Sequence, residues 1–348
     1  MESFCMQRFP VVIVGGGIIG VMIAYELTRH DPNMPVLIVD QSLAGQGASR
    51  FSAGVHFPRG ASDTVRRFSQ YSHTYYRDLL QRHPQAPIHP LGMTVVCKAS
   101  RQSAVEAQYL PLADLREVSS SLWPTAALDL PGEHLALTGE GANHADVQGL
   151  VRYLLKAMGD RVQVIEGARV ESLGGSGAHV LELSTGHAIH ADKLVLAPGP
   201  WTAARPWQSS LAHLGIRVKK VVAAHVRMPV SAEDGLIVFQ DDDAFLLPLQ
   251  QRGHWLFSYT CDEWDVDPGT VAPSLSFTDI NDARNVLARY APAWAERLDG
   301  GRVFCDAYSP DRVPIIAEVG RHLVFAGAAN GSGYRLAPAL AAEVLSLL

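Results

Sequence analysis

The residues best suited to chemistry lie near the start of the chain, where Gly15–Gly20 reads Gly-Gly-Gly-Ile-Ile-Gly and satisfies the pattern G-x-G-x-x-G. The apolar run Val11–Val14 precedes it as a predicted buried strand, and Ile18–Arg29 has helical spacing. Such glycines let the backbone approach a pyrophosphate, whose charge meets free N–H groups at the helix start. Asp40 follows at the end of the next strand, where a carboxylate can bind ribose hydroxyls. We therefore predict a dinucleotide site, for either NAD or FAD.

The elements that must position this site recur along the chain. Buried strands are predicted at Lys193–Ala197 and Leu323–Ala326, and Val218–Tyr259 alternates apolar and polar residues as in an antiparallel sheet. We predict an α/β fold (α+β overall), with a Rossmann-type domain assembled from discontinuous segments and a second domain with a mixed or antiparallel sheet. Predicted helices are Thr64–Arg82, Val147–Met158, Asp279–Tyr290 and Ala337–Leu347. The predicted domains are residues 8–90, 140–215 and 305–348, and residues 91–139 and 216–304.

The composition excludes several classes of function. The chain has 348 residues and a formal net charge of −6, and its 29 Lys and Arg residues form no basic stripe, so no nucleic-acid partner is predicted. Its four cysteines form no CxxC pair and no zinc-ligand spacing, which favours a cytoplasmic location. No apolar stretch suffices for a membrane span. The run Asp241–Asp243 is typical of a solvated turn, and no metal site is predicted.

Three further segments carry a family resemblance. They are Gly45–Gly54, Leu196–Thr202 and the C-terminal stretch from Tyr308 to Pro338, which contains Ser309-Pro310-Asp311 and Gly331-Ser332-Gly333-Tyr334. Together with the glycine motif they resemble the D-amino-acid oxidase superfamily, which includes glycine oxidase and sarcosine oxidase, over essentially the whole chain. The resemblance implies FAD rather than NAD, an FAD-binding domain in separate pieces, and a substrate domain whose sheet covers the flavin.

The resemblance also implies which residues contact FAD. The turn before the last helix would lie beside the pyrimidine edge of the flavin, where N–H groups at a helix start stabilise the negative charge of the reduced ring. The alternative is an ordinary strand–helix turn. The implied FAD-binding residues are Gly15, Gly17, Ile18, Ile19, Gly20, Asp40, Gln41, Ala48, Ser49, Ser52, Ala53, Gly54, Val170, Ala197, Gly199, Trp201, Asn330, Gly331, Ser332, Gly333 and Tyr334.

The chain departs from the family pattern at the substrate-binding position. Amino-acid oxidases of this family place an arginine five residues before the aspartate of the Pro-Asp pair, where it clamps the substrate carboxylate. Asp306 stands there in this chain. An aspartate cannot bind a carboxylate but can receive an ammonium, which favours amine substrates; the alternative is that it faces solvent. Three arginines could replace the clamp from another direction: Arg59, Arg312 and Arg335.

The attachment of FAD is predicted to be non-covalent. Some members of the family use a histidine just before the Ala-Gly pair of the second motif, and Phe51 occupies that position here. Others use a cysteine near the Pro-Asp pair, and Cys305 lies about one residue out of register. Free cysteines are usually small buried hydrophobes.

The expected reaction is hydride transfer from the carbon of a C–N bond to flavin N5, giving an imine that water hydrolyses. Molecular oxygen or another acceptor would then reoxidise the flavin. Candidate catalytic residues besides Asp306 are His56, which could tune substrate protonation near neutral pH, and Tyr259, Tyr308, Tyr334 and Arg335, with Phe245 as a further wall of the pocket. A packing role is the alternative for His56 and for each tyrosine.

Other functions stay open on the sequence alone. A flavin-dependent 2-hydroxy-acid dehydrogenase would oxidise a C–O bond and needs a base for the hydroxyl proton, which His56 could supply. A non-catalytic FAD-binding subunit of a redox complex is a second alternative. An NAD-dependent dehydrogenase is disfavoured by the C-terminal motifs.

Overall fold

The structure is a computed structural model that describes residues 7–119, 128–175 and 177–348. Its strands are β1 (Gln7–Val14), β2 (Val36–Val39), β3 (Val55–His56), β4 (Ile88–Lys98), β5 (Arg116–Val118), β6 (His134–Ala145), β7 (Val162–Ile165), β8 (Val170–Gly174), β9 (His179–Leu183), β10 (Ala188–Leu196), β11 (Arg217–Val226), β12 (Leu236–Phe239), β13 (Ala244–Leu249), β14 (His254–Tyr259), β15 (Leu298–Tyr308), β16 (Ile315–Gly320) and β17 (Leu323–Gly327). Its helices are α1 (Ile18–His30), α2 (Ala48–Phe51), α3 (Asp63–Arg82), α4 (Gln102–Glu106), α5 (Val147–Met158), α6 (Gln208–Leu211), α7 (Phe277–Leu287), α8 (Pro292–Ala295) and α9 (Gly333–Leu347).

The first sheet has the strand order β16-β17-β10-β1-β2-β7, and β9 pairs with β10 to add a β8–β9 hairpin. Strands β17, β10, β1, β2 and β7 run parallel, whereas β16 and the hairpin are antiparallel. The central strands are continuous apolar runs because both faces of a parallel sheet are covered. Helices α1, α5 and α9 pack together on one face, and Trp207 and the hairpin cover the other.

The second sheet has the order β15-β11-β14-β13-β12-β4-β6-β3, with β5 paired to β6. It is mixed, because β12 and β4 run parallel while the remaining pairs are antiparallel. Helix α7 covers one face, where Lys220 forms an ion pair with Asp279 at 2.7 Å. The Ser276 and Asp279 side chains form the capping box that begins this helix.

Strand register decides which side chains of the second sheet face the helices. Cross-strand partners in an antiparallel pair point to the same face, and Lys219 pairs with Asp306 while Lys220 pairs with Cys305. Asp306 therefore shares a face with Arg302, Phe304 and Tyr308 of β15, and Cys305 lies on the face covered by α7. The first face also carries Ser258 and Phe245, and the helix face carries Val222 and Tyr259.

The predicted mixed α/β architecture is confirmed, with differences at the ends of elements. The last helix begins at Gly333 rather than at Ala337, and the helix predicted to end at Tyr290 ends at Leu287. The predicted first domain includes β3 and parts of β4, β6 and β15, four strands of the second sheet. None of the helices in the described ranges combines the length and apolarity needed to span a bilayer.

Candidate functional site

A cavity of about 290 Å³ lies at the carboxyl edge of the parallel strands of the first sheet. Ligands bind at this edge in open α/β sheets, because the loops after the strands meet there. Most of the residues predicted to bind the cofactor line it: Gly15, Gly17, Ile18, Ile19, Asp40, Gln41, Ala48, Ser49, Ser52, Val170, Ala197, Gly199, Trp201, Gly331, Gly333 and Tyr334.

The glycine turn after β1 is built by close backbone packing. A Cβ atom added to Gly15 would lie 2.1 Å from the carbonyl oxygen of Ala197, and the φ of Gly15 is +111°, so only glycine fits. Asp40 faces the same turn and accepts hydrogen bonds from the N–H groups of Gly16 (2.7 Å) and Ser42 (2.8 Å). Burial raises the pKa of Asp40, and these two hydrogen bonds oppose the rise. The turn and the acid thus form one rigid unit.

The start of α1 meets the segment that follows the acid. The hydroxyl oxygen of Ser49 accepts a hydrogen bond from the N–H of Ile18 (2.9 Å), and the N-cap residue Gly17 offers no side chain to the N–H groups that follow. A Cβ atom on Gly17 would meet Ser49 alone, at 3.4 Å. Two other glycines of the cavity, Gly199 and Gly333, have no neighbouring atom within 4 Å of such a Cβ. The donors at the helix start therefore face space that a bound phosphate group can fill.

This cradle fits FAD by the chemistry of its walls. A carboxylate, a glycine turn and a helix N-terminus surround one end, as a ribose and a pyrophosphate require. The other end lies at the start of α9, where Gly333 and Tyr334 line the cavity and the side chain of Ser332 does not cap the helix. Anionic charge on a flavin ring is stabilised at such a helix start.

Several residues of the cavity wall were not predicted from the sequence. Arg169 and Glu171 flank Val170, and Trp207 donates from Nε1 to the carbonyl oxygen of Trp201 (2.9 Å). The position of Val170 would have suggested its neighbours, whereas no sequence signal points to Trp207. Small residues near the C-terminal motif also line the wall: Ala307, Ala328 and Ala329.

Five residues predicted to contact the cofactor lie outside the cavity wall: Gly20, Ala53, Gly54, Asn330 and Ser332. A Cβ on Gly20 would lie 2.0 Å from the carbonyl oxygen of Gly15, so Gly20 allows α1 to approach the turn. Gly54 has a φ of +64° and packs against the carbonyl oxygen of Ala145. The side chain of Asn330 accepts from the N–H of Ser309 (3.0 Å) and so joins β15 to the turn before α9.

Asp306 reaches the cavity from the second sheet. Its carboxyl group forms no ion pair and no hydrogen bond with any other described residue. A Cβ built on Gly331 would lie 4.0 Å from Oδ2 of Asp306 and 3.3 Å from the hydroxyl of Tyr308. Burial alone raises the pKa of Asp306 to about 7. The cavity thus contains one carboxyl group that exists in both protonation states near neutral pH.

His56 lies away from the cavity, in a buried aromatic cluster. Its side chain is 0% exposed, and its ring packs against those of His73 and Tyr76 at centroid distances of 5.7 and 5.8 Å. Neither ring nitrogen forms a hydrogen bond of good geometry with a residue that the structure describes. Burial, followed by the charge of Arg335, lowers the pKa of His56 to about 3. This environment argues against the predicted titration near neutral pH.

The three candidate tyrosines occupy different places. Tyr334 lines the cavity, but its hydroxyl donates to Oδ1 of Asn143 (2.7 Å) in the protein interior. Tyr308 is close to Gly331 yet outside the wall, and its ring packs against Trp264. Tyr259 lies on the helix-covered face of the second sheet, opposite to Asp306. Of the three, Tyr308 is the one whose hydroxyl approaches the Asp306 end of the cavity.

The three arginines that could replace the missing carboxylate clamp do not line the cavity. Arg335 donates to the carbonyl oxygen of Arg59 (2.5 Å) and to the hydroxyl of Ser332 (2.9 Å), and burial lowers its pKa to about 10. Arg59 donates twice to Oε1 of Gln108. Arg312 lies over the ring of Tyr308, 5.6 Å from its centroid. None of these three arginines therefore replaces the clamp beside Asp306 in the cavity wall.

The acidic run after β12 is bound by neighbouring side chains. Asp241 forms an ion pair with Arg101 (2.7 Å), Asp242 with Arg289 (2.7 Å), and Asp243 accepts from Thr260 (2.8 Å). The three carboxylates bind different partners, and the side chains of Asp241 and Asp242 are largely buried rather than solvated as predicted.

Comparison with known proteins agrees with the geometry. A family model described as FAD-dependent oxidoreductase (DAO) matches residues 10–347. The 4-methylaminobutanoate oxidase (formaldehyde-forming) of Paenarthrobacter nicotinovorans is 24% identical over 96% of this chain, which spans 43% of that protein's length.

Solved structures share the fold at low identity. Glycine oxidase from Geobacillus kaustophilus is 20% identical with a TM-score of 0.80, covering 98% of this chain and 95% of that one. L-α-glycerophosphate oxidase from Mycoplasma pneumoniae with FAD bound is 17% identical with a TM-score of 0.80, covering 99% and 95%. The resemblance inferred from the motifs is confirmed by the family match. The chain belongs to the DAO family of FAD-dependent oxidoreductases, and FAD is its cofactor.

Proposed function

We propose that this enzyme oxidises the C–N bond of a small amine, and that Asp306 receives the amino group. The observation that carries the proposal is the position of Asp306 in the cavity wall, where its carboxyl group forms no ion pair with any residue that the structure describes. A carboxylate in this place attracts an ammonium and repels a substrate carboxylate. The proposal therefore favours amines, or amino acids whose carboxylate lies far from the reacting nitrogen, over α-amino acids.

The protonation state of Asp306 supports this role. An amine must lose its ammonium proton before the adjacent carbon can be oxidised, and a carboxyl group with a pKa of about 7 can accept that proton at neutral pH. When bound, FAD supplies the acceptor for the hydride. Three alanines, Ala307, Ala328 and Ala329, also line this cavity.

Oxidation of a C–O bond is the competing function, and the 4-methylaminobutanoate and L-α-glycerophosphate oxidases exemplify the two kinds of substrate among similar proteins. An alcohol needs a base for its hydroxyl proton. The base suggested by the sequence was His56, which is fully buried, lies outside the cavity and has a pKa of about 3. These facts favour the amine over the alcohol.

The test is an anaerobic screen of the FAD-loaded protein with amines, D- and L-amino acids and 2-hydroxy acids, followed by flavin absorbance. We expect amines to bleach the flavin, and Asp306→Asn to slow bleaching at least about tenfold and remove the rise in rate around pH 7. Asp243→Asn, which changes a carboxylate outside the cavity wall, serves as the control. If only hydroxy acids bleach the flavin, the enzyme oxidises C–O bonds instead. If no compound bleaches it, the chain is a non-catalytic subunit.

Three further features complete the proposal. We infer that molecular oxygen or another acceptor reoxidises the flavin. Peroxide formation when air is admitted would identify molecular oxygen as the acceptor. We infer that each sheet forms the core of one domain and that Asp306 marks where the domains meet. The buried free thiols of Cys97, Cys261 and Cys305 support a reducing, cytoplasmic location.

A further inference from the structure

A second cavity, of about 100 Å³, lies between α2, the start of α5 and the turn that joins β13 to β14. Its wall is rich in basic side chains: Arg50, Arg252, Arg302, His89 and His144. These residues come from five separate segments of the chain, so no single sequence motif predicts the cluster.

Arg302 is the most enclosed guanidinium group of this cavity. Its Nε donates to the carbonyl oxygen of Phe51 (2.7 Å) and its Nη2 to that of Ser52 (3.3 Å), both neutral acceptors. Burial, followed by the charge of Arg252, lowers the pKa of Arg302 to about 10. In the part of the chain that the structure describes, neither arginine forms an ion pair with a carboxylate. A desolvated cation without a counter-charge is costly, and a bound anion would relieve that cost.

The remaining groups leave the cavity positive at neutral pH. The carboxylate of Asp146 lines the wall, but its Oδ1 accepts from the N–H of Gly149 (3.0 Å) as the N-cap of α5. The Nδ1–H of His144 donates to the carbonyl oxygen of Ala53 (3.1 Å), and burial lowers the pKa of His144 to about 4, so this ring is neutral. His89 contacts the amide of Gln251 (3.0 Å). Three arginines therefore line the cavity beside a single carboxylate, and of these Arg50 is exposed and donates to Oε1 of Gln46 (2.8 Å).

We propose that this cavity binds a small oxyanion, a carboxylate or phosphate group, held by the guanidinium groups of Arg302 and Arg252. Planar guanidinium groups match the paired oxygens of such anions. The site is distinct from the cavity that holds FAD, and it does not depend on the identity of the oxidised substrate. The two cavities share Ser52 in their walls. Because Arg302 holds the backbone of Phe51 and Ser52, a bound anion would alter the surroundings of the flavin.

The experiment titrates the FAD-loaded protein with inorganic phosphate and, separately, with acetate, at constant ionic strength in a calorimeter, while flavin absorbance is recorded. We expect saturable binding of at least one of the two anions, accompanied by a shift in the flavin spectrum. Arg252 is exposed at the rim, so Arg252→Gln should fold normally and weaken binding at least about tenfold, the usual effect of losing a charge-assisted hydrogen bond.

The matched control is Arg321→Gln, which removes an exposed arginine from the turn between β16 and β17, outside both cavities, and should leave the affinity unchanged. Arg302→Lys keeps the charge but loses the paired donors, and it should also weaken binding. The proposal is overturned if neither anion binds saturably, or if Arg252→Gln binds as tightly as the unmodified protein. Equal losses in Arg252→Gln and Arg321→Gln would likewise overturn it, since that result reports net charge alone.

Discussion

The hydroxyl of Tyr76 on α3 donates a hydrogen bond of 2.5 Å to the main-chain carbonyl oxygen of Tyr334 in the first turn of α9. Four residues beyond Tyr334 stands Pro338, which has no N–H to offer that carbonyl. The two tyrosine rings also stack, with their centroids 4.7 Å apart. A side chain of one helix thus replaces the missing backbone donor of another, directly behind the cavity wall.

Removing this hydroxyl should destabilise the protein. Tyr76→Phe keeps the stacked ring but leaves the buried carbonyl of Tyr334 without a donor, so we expect the free energy of unfolding to fall by about 1–3 kcal/mol. Urea denaturation of the variant and the unmodified protein measures it. In the Pro338→Ala background a backbone N–H is restored, and there Tyr76→Phe should cost clearly less. Equal losses in both backgrounds would show that the hydroxyl does not substitute for the helix donor.

Gly333→Ala should separate cofactor binding from folding. A Cβ at this position meets no protein atom within 4 Å and lies at the first residue of α9, so FAD-free protein should be as stable or more stable, by up to about 1 kcal/mol. The same methyl group projects into the cavity and should weaken FAD binding at least about tenfold. Fluorescence titration with FAD measures the affinity. Gly132→Ala, which also meets no neighbour, is the control; equal FAD affinity in all three proteins would contradict the assignment of the cavity.

The pKa of Asp306 makes stability depend on pH. The folded protein holds the proton up to about pH 7, whereas the unfolded chain releases it near the ordinary value of 3.8. Stability is therefore lost as the pH rises from about 4 to 7, by at most roughly 1.4 kcal/mol per pH unit. Asp306→Asn does not titrate, so in FAD-free protein it should gain stability over the unmodified chain at pH 8 but little at pH 4. A constant difference across this range would contradict the raised pKa.

We predict that FAD is held without a covalent bond. Cys305 lies on the helix-covered face of β15, and burial raises the pKa of its thiol to about 11, so it neither faces the cavity nor ionises at neutral pH. Acid precipitation should release all of the flavin into the supernatant, from the unmodified protein and from Cys305→Ser alike. Flavin that stays with the pellet of the unmodified protein and leaves that of Cys305→Ser would identify the thiol as an attachment point.

Local rules predicted the nucleotide end of the site well. Gly15 and Asp40 follow buried strands that the sequence shows as continuous apolar runs. The backbone geometry at Gly15 allows no residue other than glycine. The start of α9 was harder to predict, because Pro338 is typical of a first helical turn. The helix extends four residues further toward the N-terminus than predicted, since Tyr76 satisfies the carbonyl that the proline leaves free.

The substrate end depends on strand register, which residue types alone do not reveal. The sequence predicts both Tyr259 and Phe245 as strand residues beside a pocket. The pairing of β14 with β11, however, turns Tyr259 toward the helices. The second cavity depends on tertiary contacts between distant segments, so no local sequence pattern marks Arg302 as part of a site.

Strand β15 carries Arg302 and Asp306 on the same face, one beside each cavity. Inserting or deleting a single residue before Arg302 would rotate both side chains, together with Phe304, toward α7 and bring Cys305 round in their place. Substitutions can change either cavity separately, but length changes in this strand would disable both at once. Variation among homologous chains should accordingly be confined here to residue identity, with insertions accumulating in the loops on either side.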